Sequence, residues 1–113
     1  MRSYIGKAIA VARTLGSIVV AKGPLTVVVS RDKIYVSDTG TPALAKAGTG
    51  DVLTGIIGSL AAQGVEPFDA AVLGVHIHGR AGRLAEREWG QRGVCAEDVI
   101  KHISLVMRDF FGF

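Results

Sequence analysis

One carboxylate, Asp51, stands where a glycine-containing turn runs into an apolar helix. The residues before it are Gly48, Thr49 and Gly50, and helical periodicity begins at Thr49. The first amides of a helix lack intrahelical acceptors and carry partial positive charge, so a phosphate can rest on them where glycines let it approach. An aspartate alongside could accept the proton of a substrate hydroxyl during phosphoryl transfer. The alternative is an ordinary helix cap, and no Gly-Lys-Ser/Thr follows that would indicate a Walker motif.

Hydrophobic periodicity predicts an α/β arrangement around this junction. The predicted elements are a helix over 5–15, strands over 17–21, 26–30 and 34–37, and helices over 49–63, over 67–89 and from residue 96 onward. Three strands beside four helices leave at least one sheet edge without cover. We therefore expect the chain either to associate with a copy of itself or to be the back part of a larger sheet.

The last two predicted helices carry the histidines. His76 and His78 are two residues apart on one helix, so they point to different sides and cannot share a metal ion, and no metal site is predicted. His102 on the last helix is expected to be exposed. That helix is expected to pack through an apolar seam made of Ile100, Ile103, Met107 and Phe110.

Composition restricts the class of protein. The chain has 113 residues, of which 49% are hydrophobic and 20% charged, values that predict one folded domain. The net charge of +3 permits an anionic partner. Arginines at 80, 83 and 87 alternate with acidic residues, which indicates a solvated face and no nucleic-acid surface. A lone Cys95, no visible signal segment and no apolar helix long enough for a bilayer predict a cytoplasmic protein without a membrane partner.

Four blocks along the chain carry a family resemblance. They are AKGPLTVV at 21–28, TGTPALAKAGTGD at 39–51, AGTGDVLTGIIGSLAAQG at 47–64 and GVHIHGRAG at 74–82. Together they resemble the ADP- or ATP-dependent NAD(P)H-hydrate dehydratases, a branch of the ribokinase-like superfamily. The third block is specific to that signature, whereas the Lys-Gly-x-x-Thr pattern of the first is weak alone.

The resemblance implies an α/β fold, the C-terminal portion of a ribokinase-like domain, with a few β-strands and helices packed on the sheet, spanning 1–113 as one partial domain. It implies a lyase that uses ADP or ATP, with Mg²⁺ arriving on the nucleotide, to dehydrate hydrated NADH or NADPH. The hydrate's hydroxyl would be phosphorylated and phosphate then lost. Asp51 would contact the substrate and act as base, and His78 would lie near the substrate. The implied nucleotide-binding residues are Lys22, Gly23, Pro24, Leu25, Thr26, Gly48, Thr49 and Gly50.

The resemblance covers well under half of the family domain, so a homo-oligomer or a partner chain supplying the front part is expected. Two local departures stand out. Thr41-Pro42-Ala43 replaces the family's Asn-Pro-Gly, and Lys46 occupies a position that is commonly small or hydroxylated, where we expect solvated charge in preference to a phosphate contact. Two other functions stay open, a ribokinase-like kinase for a small alcohol such as a vitamin precursor, and a silent remnant that self-associates. The choice between ADP and ATP also stays open.

Overall fold

The computed structural model of this chain describes residues 2–23 and 25–111, which form a small sheet with helices on both faces. The elements are α1 (Arg2–Leu15), β1 (Val19–Ala21), β2 (Val27–Val29), β3 (Ile34–Val36), α2 (Thr49–Ala62), α3 (Pro67–Trp89) and α4 (Ala96–Phe111). A 3-10 turn, Pro42–Leu44, lies in the loop before α2. The predicted order of elements is confirmed. Within the described ranges, no helix combines the length and the apolarity needed to cross a membrane.

The sheet is antiparallel, with strand order β1-β2-β3. Val28 at its centre pairs with Val20 on one side and with Tyr35 on the other. β3 forms one edge, where Ile34 is 56% and Val36 49% exposed. Across the part of the chain that the structure describes, β1 pairs with β2 alone, so its outer edge is free for another strand. This agrees with the uncovered edge expected from the count of elements.

β2 is buried on both faces, which explains its unbroken run of valines. Val27 and Val29 pack against Ala8 and Ala12 of α1, where small side chains bring the helix close to the sheet. Val28 points the other way, into a cluster built with residues of α2 and α3. The strand therefore holds α1 and the α2–α3 pair in place from opposite sides.

Helices α2, α3 and α4 share a second core beside the sheet. Its buried members are Ala43, Leu60, Ala70, Ile77, Ala81, Ala85, Val94, Val99 and Val106. Of the seam predicted for α4, Ile103 and Met107 are partly buried against this core, and the side chain of Phe110 lies outside the described part. The packing surface of α3 is lined by small residues because α2 approaches closely: a Cβ on Gly74 would lie 2.5 Å from Cγ1 of Ile57.

Two expectations for α4 are wrong. Ile100 is 54% exposed, while Val99 and Val106 are buried, so the inward face is rotated by one residue. His102 is buried, at 8% exposure, because its Nε2 is 2.9 Å from a carboxylate oxygen of Glu88 on α3. A histidine with a carboxylate partner completes the inward face that an apolar pattern alone misplaces.

Candidate active site

The chain enters α2 through a glycine turn that leaves amides unpaired. Gly48 adopts the left-handed conformation, with φ +89°, and no side chain caps the helix start. The amide of Thr49 donates to the carbonyl of Lys46 at 3.3 Å. The next two amides, those of Gly50 and Asp51, donate to no main-chain carbonyl in the described residues. The positive end of α2 therefore offers two donors to an anion.

The ammonium group of Lys22 lies at the same helix start. A Cβ placed on Gly50 would lie only 2.5 Å from the Nζ of Lys22, so the absence of a side chain at Gly50 makes room for the cation. A cation beside a helix N-terminus meets partial charges of its own sign. An anion between them would stabilise both, which makes this pair of predicted residues a candidate anion cradle.

Asp51 does not cap its own helix. Its side chain is exposed, and α2 has no side-chain hydrogen bond at its start. The helix-cap interpretation of this aspartate is therefore not realised. An exposed carboxylate beside an amide-lined helix start can accept a proton from a bound hydroxyl.

A cavity of about 460 Å³ opens beside this helix start. Six predicted site residues line it, namely Lys22, Gly23, Leu25, Thr26, Thr49 and His78. Gly48, Gly50 and Asp51 do not line it, and Pro24 lies outside the described residues. Gly50 instead joins Lys22 in lining a neighbouring cavity of about 350 Å³ between β1 and α2. Lys22 therefore stands where the two cavities meet.

Helix α1 positions the turn that carries Lys22. The hydroxyl of Tyr4 donates to the carbonyl of Leu25 at 2.5 Å. A Cβ on Gly23 would lie 2.6 Å from the Tyr4 ring, so the absence of a side chain at Gly23 lets the ring pack directly against the turn. Sequence reasoning missed Tyr4, because its partner is 21 residues away and no local pattern links the two.

The opposite wall of the cavity is the loop over 37–45, which lies directly on α3. A Cβ on Gly79 would lie 2.9 Å from the carbonyl carbon of Thr39, and a Cβ on Gly82 would lie 2.6 Å from the side chain of Leu44. Gly79 and Gly82, both in the fourth sequence block (74–82), therefore let this loop pack against α3. The turn-forming composition of 38–48 signalled a loop, but its place in the cavity wall depends on contacts that sequence spacing does not reveal.

Thr49 and His78 support the helix start from inside. The Thr49 hydroxyl contacts the carbonyls of Leu44 and Lys46, so its oxygen is turned into the loop. The ring Nε2 of His78 lies 2.9 Å from the carbonyl of Thr49 and must carry the hydrogen, since a carbonyl only accepts. Burial lowers the pKa of His78, the hydrogen bond to Thr49 opposes that shift, and the Lys22 ammonium adds to it. His78 is therefore held as a neutral donor at the edge of the cavity.

Lys46 is not the solvated charge that was expected. Its Nζ contacts three main-chain carbonyls of the α3–α4 turn, those of Gln91 at 3.0 Å, Arg92 at 3.2 Å and Val94 at 3.0 Å. The expectation is wrong because the turn that receives the ammonium is 45 or more residues away in sequence.

Comparison with known proteins adds family evidence to this geometry. A family model described as NAD(P)H-hydrate dehydratase matches residues 2–105. The bifunctional NAD(P)H-hydrate repair enzyme Nnr of Moorella thermoacetica is 44% identical over 99 residues, which are 87% of this chain and 19% of that protein. The ADP-dependent (S)-NAD(P)H-hydrate dehydratase of Natrialba magadii is 44% identical over 93 residues, which are 82% of this chain and 36% of that protein.

A solved structure agrees with the fold. The ADP/ATP-dependent NAD(P)H-hydrate dehydratase from Bacillus subtilis, co-crystallized with ATP/Mg²⁺, superposes with a TM-score of 0.86 at 31% identity. The match covers 93% of this chain and 38% of that chain, which confirms the expected fold class. The present chain thus spans well under half the length of each of these three proteins.

Proposed function

The chain belongs to the NAD(P)H-hydrate dehydratase family, and on that premise we propose that it forms part of an ADP- or ATP-dependent enzyme that dehydrates hydrated NADH and NADPH. Its part is the cradle for the transferable phosphoryl group together with the base that accepts the substrate proton. The single observation that carries the proposal is the position of the Lys22 ammonium beside Gly50, at a helix start where the amides of Gly50 and Asp51 have no main-chain acceptor. The activities of the relatives named above support the substrate and the nucleotide.

The proposed reaction has two stages. In the first, the carboxylate of Asp51 takes the proton of the hydrate's hydroxyl while that oxygen attacks the terminal phosphorus of the nucleotide. The bond between this phosphorus and its bridging oxygen breaks, leaving ADP from ATP, or AMP from ADP. The Lys22 ammonium and the two amides stabilise the charge on the transferred group, which is the main contribution a protein makes to phosphoryl transfer.

The second stage is an elimination. The carbon–oxygen bond to the new phosphate ester breaks, inorganic phosphate leaves, and a proton is lost from the neighbouring ring carbon, which forms the double bond of NADH or NADPH. Phosphate is a better leaving group than hydroxide, which explains why a nucleotide is consumed. His78, held neutral, lies in the wall of the adjoining cavity, and we assign it a supporting contact to substrate there.

The donor set fits a nucleotide, with magnesium carried on it. Amide and ammonium donors suit phosphate oxygens. Among residues 2–23 and 25–111, no group of three or more His, Cys, Asp or Glu side chains is arranged to hold a metal. Mg²⁺ would shield phosphate charge, in the manner usual for this ion.

Thermal unfolding with nucleotides tests the cradle. Saturation by Mg–ATP or Mg–ADP at a hundred times its Kd should stabilise the folded chain by about 2.7 kcal/mol. Lys22→Met should remove most of this shift, whereas Lys7→Met, an exposed lysine on α1, should keep it. No shift with either nucleotide would reject the proposal and favour the silent remnant.

Product analysis separates the dehydratase from a kinase. Hydrated NADH plus nucleotide should give NADH and free phosphate in equal amounts. A stable phosphorylated alcohol without NADH would instead identify a kinase for a small alcohol.

We also propose that a further strand pairs with the free edge of β1. This strand would come from polypeptide equivalent to the part of the relatives' domain that residues 1–113 do not match, carried by this chain or by another. The apolar cavity between β1 and α2, lined in part by Val20, Leu53 and Ile57, supports this because an added strand would cover it. Co-expression with the part of a relative's domain that this chain does not match should give a stable complex and raise turnover. A homodimer of this chain alone, detected by light scattering, would favour self-association. We propose a cytoplasmic location for the resulting enzyme.

A further inference from the structure

We propose that Lys46 is a positioning residue whose ammonium group fixes the direction of the anion cradle at the start of α2. The proposal rests on the function proposed above, since it concerns the same cradle. It gives a role to a charged side chain that touches neither of the cavities around Lys22.

The first observation is a complete set of contacts at the ammonium. A lysine ammonium has three donors, and three carbonyls lie at 3.0, 3.2 and 3.0 Å from the Nζ of Lys46. These carbonyls belong to Gln91, Arg92 and Val94, in the turn between α3 and α4. Gln91 and Arg92 are exposed, whereas Val94 is buried at 2% exposure, so water can replace the first two contacts far more easily than the third.

The second observation is that the main chain of Lys46 holds the first residue of α2. Its carbonyl accepts the Thr49 amide at 3.3 Å and the Thr49 hydroxyl at 2.9 Å. One residue therefore binds the α3–α4 turn through its side chain and the helix start through its main chain. The ammonium contacts therefore restrain the residue whose carbonyl holds Thr49, next to the two unpaired amides.

The third observation is direct contact between the two helix starts. Gly48 and Ala96 are so close that a Cβ on Gly48 would lie 3.2 Å from the Cβ of Ala96. The α3–α4 turn leads into Ala96, and Lys46 precedes Gly48 by two residues. The ammonium therefore bridges the two segments that meet at this contact, and it sets how α2 is oriented against α4.

The chemistry of the three carbonyls makes the bridge selective. Three acceptors around one point suit a compact cation with three or four donors, whereas the planar fork of arginine directs its donors outward. A methionine in place of Lys46 would leave the carbonyls facing an uncharged side chain. An ammonium ion from solution has the size and the donors to take the vacated place, but tetramethylammonium has no donors.

The experiment compares Lys46→Met with Lys7→Met, a matched loss of one exposed lysine on α1. Amide hydrogen exchange over 48–52, in which the amides of Thr49 and Val52 are hydrogen-bonded, is measured without nucleotide. The exchange and the Kd for Mg–ATP are both measured in sodium chloride and in ammonium chloride. Misplaced cradle groups should raise the Kd of Lys46→Met by about tenfold and speed exchange over 48–52. Ammonium chloride should reverse both effects in this variant alone, and tetramethylammonium chloride should not.

Each contrary result overturns the proposal. Wild-type Kd and exchange in Lys46→Met would show that the bridge does not position the cradle. A raised Kd with unchanged exchange and no response to ammonium would show a direct phosphate contact instead. If the wild-type chain binds no nucleotide, the proposed function fails, and exchange with and without ammonium still decides the role of Lys46.

Lys46→Arg covers the case in which the methionine variant does not fold. This variant keeps the charge and should fold, with exchange over 48–52 at least threefold faster, because its donors diverge from the three carbonyls. Exchange equal to the wild type in Lys46→Arg would overturn the claim that the three-carbonyl geometry matters.

Discussion

The starts of α2 and α4 carry aspartate at the same third helical position, yet the two carboxylates do different things. Asp98 turns back and accepts hydrogen bonds from the amide of Cys95 at 2.9 Å and from its thiol at 3.1 Å, and the first of these is one half of a capping box. Asp51 caps nothing and is exposed. The residues before the two helices also differ, since Gly48 is left-handed and has no side chain, whereas Cys95 donates to its aspartate from both its amide and its thiol.

In this chain, the first-turn aspartate that is left available for chemistry is the one whose helix is entered through a left-handed glycine. The pKa of Asp98 is lowered, first by the hydrogen bond from the Cys95 amide and next by the bond from the Cys95 thiol. That aspartate is committed to structure. Asp51 has no such bonds in the described residues, and its role has to come from a ligand.

Paired substitution of the two aspartates tests this contrast most strongly. Asp51→Asn should lower kcat by about a thousandfold in the enzyme competent for turnover, since a general base is lost, with an unchanged Tm. Asp98→Asn should do the reverse, with a lower Tm and near-normal kcat. Steady-state kinetics and thermal scans of both variants provide the measurement, and near-normal turnover by Asp51→Asn would remove it from the mechanism.

The left-handed glycine can be tested against a second one. Gly48→Ala should destabilise the fold by about 1–2 kcal/mol, because a side chain is strained at this φ and meets Ala96. Gly64, with φ +93° and open space around it, is the matched control for strain alone. Denaturant unfolding of both alanine variants isolates the contact between α2 and α4, and equal losses would mean that this contact contributes nothing.

Gly50→Ala should separate stability from binding. Alanine is favoured over glycine inside a helix by about 1 kcal/mol, so the Tm should hold or rise. The new methyl group would displace the Lys22 ammonium, which lies 2.5 Å from its position, and the Kd for Mg–ATP should rise several-fold. Calorimetric titration measures this, and an unchanged Kd would place the anion elsewhere.

The smallest expected effect is on the loss of stability in acid, to which Asp98 contributes through the hydrogen bonds that it accepts from Cys95. Because the folded-state pKa of Asp98 is below its unfolded value, near 3.9, its contribution to stability is complete above that pH and is lost as the pH falls through the folded pKa. Asp98→Asn should therefore flatten the loss of stability in acid. Cys95→Ser keeps a donor for Asp98 and should retain the wild-type slope; a flat slope there would assign the shift to the thiol.

Local patterns predicted the helices and strands well, because hydrophobic periodicity and the glycines and prolines at element ends depend on only a few neighbouring residues. α3 begins at Pro67 and α2 ends before Gly64, as expected from those residues. The inward face of α4 was misplaced because two apolar stripes overlap, one through Val99 and one through Ile100. The inward face also carries His102, which contacts Glu88 on α3, and periodicity does not encode a contact of this kind.

The candidate site was predictable to the extent that its residues lie in contiguous motifs. The spatial meeting of Lys22 with Gly50 follows from sheet and helix packing that the sequence blocks could only imply by resemblance. Tyr4 and Lys46 were out of reach for a different reason. Each donates to main-chain carbonyls more than 20 residues away in sequence. Every residue type has a main-chain carbonyl, so the type of the accepting residue gives no sign of the contact.

The seating of the 37–45 loop on Gly79 of α3 has a consequence for redesign. Since the backbone of Thr39 lies directly against Gly79, the loop that forms this wall of the cavity cannot move back toward α3. A variant meant to accept a bulkier ligand therefore gains its space from smaller side chains in the lining, such as substitutions at Leu25 or Thr26, and not from a shift of the loop.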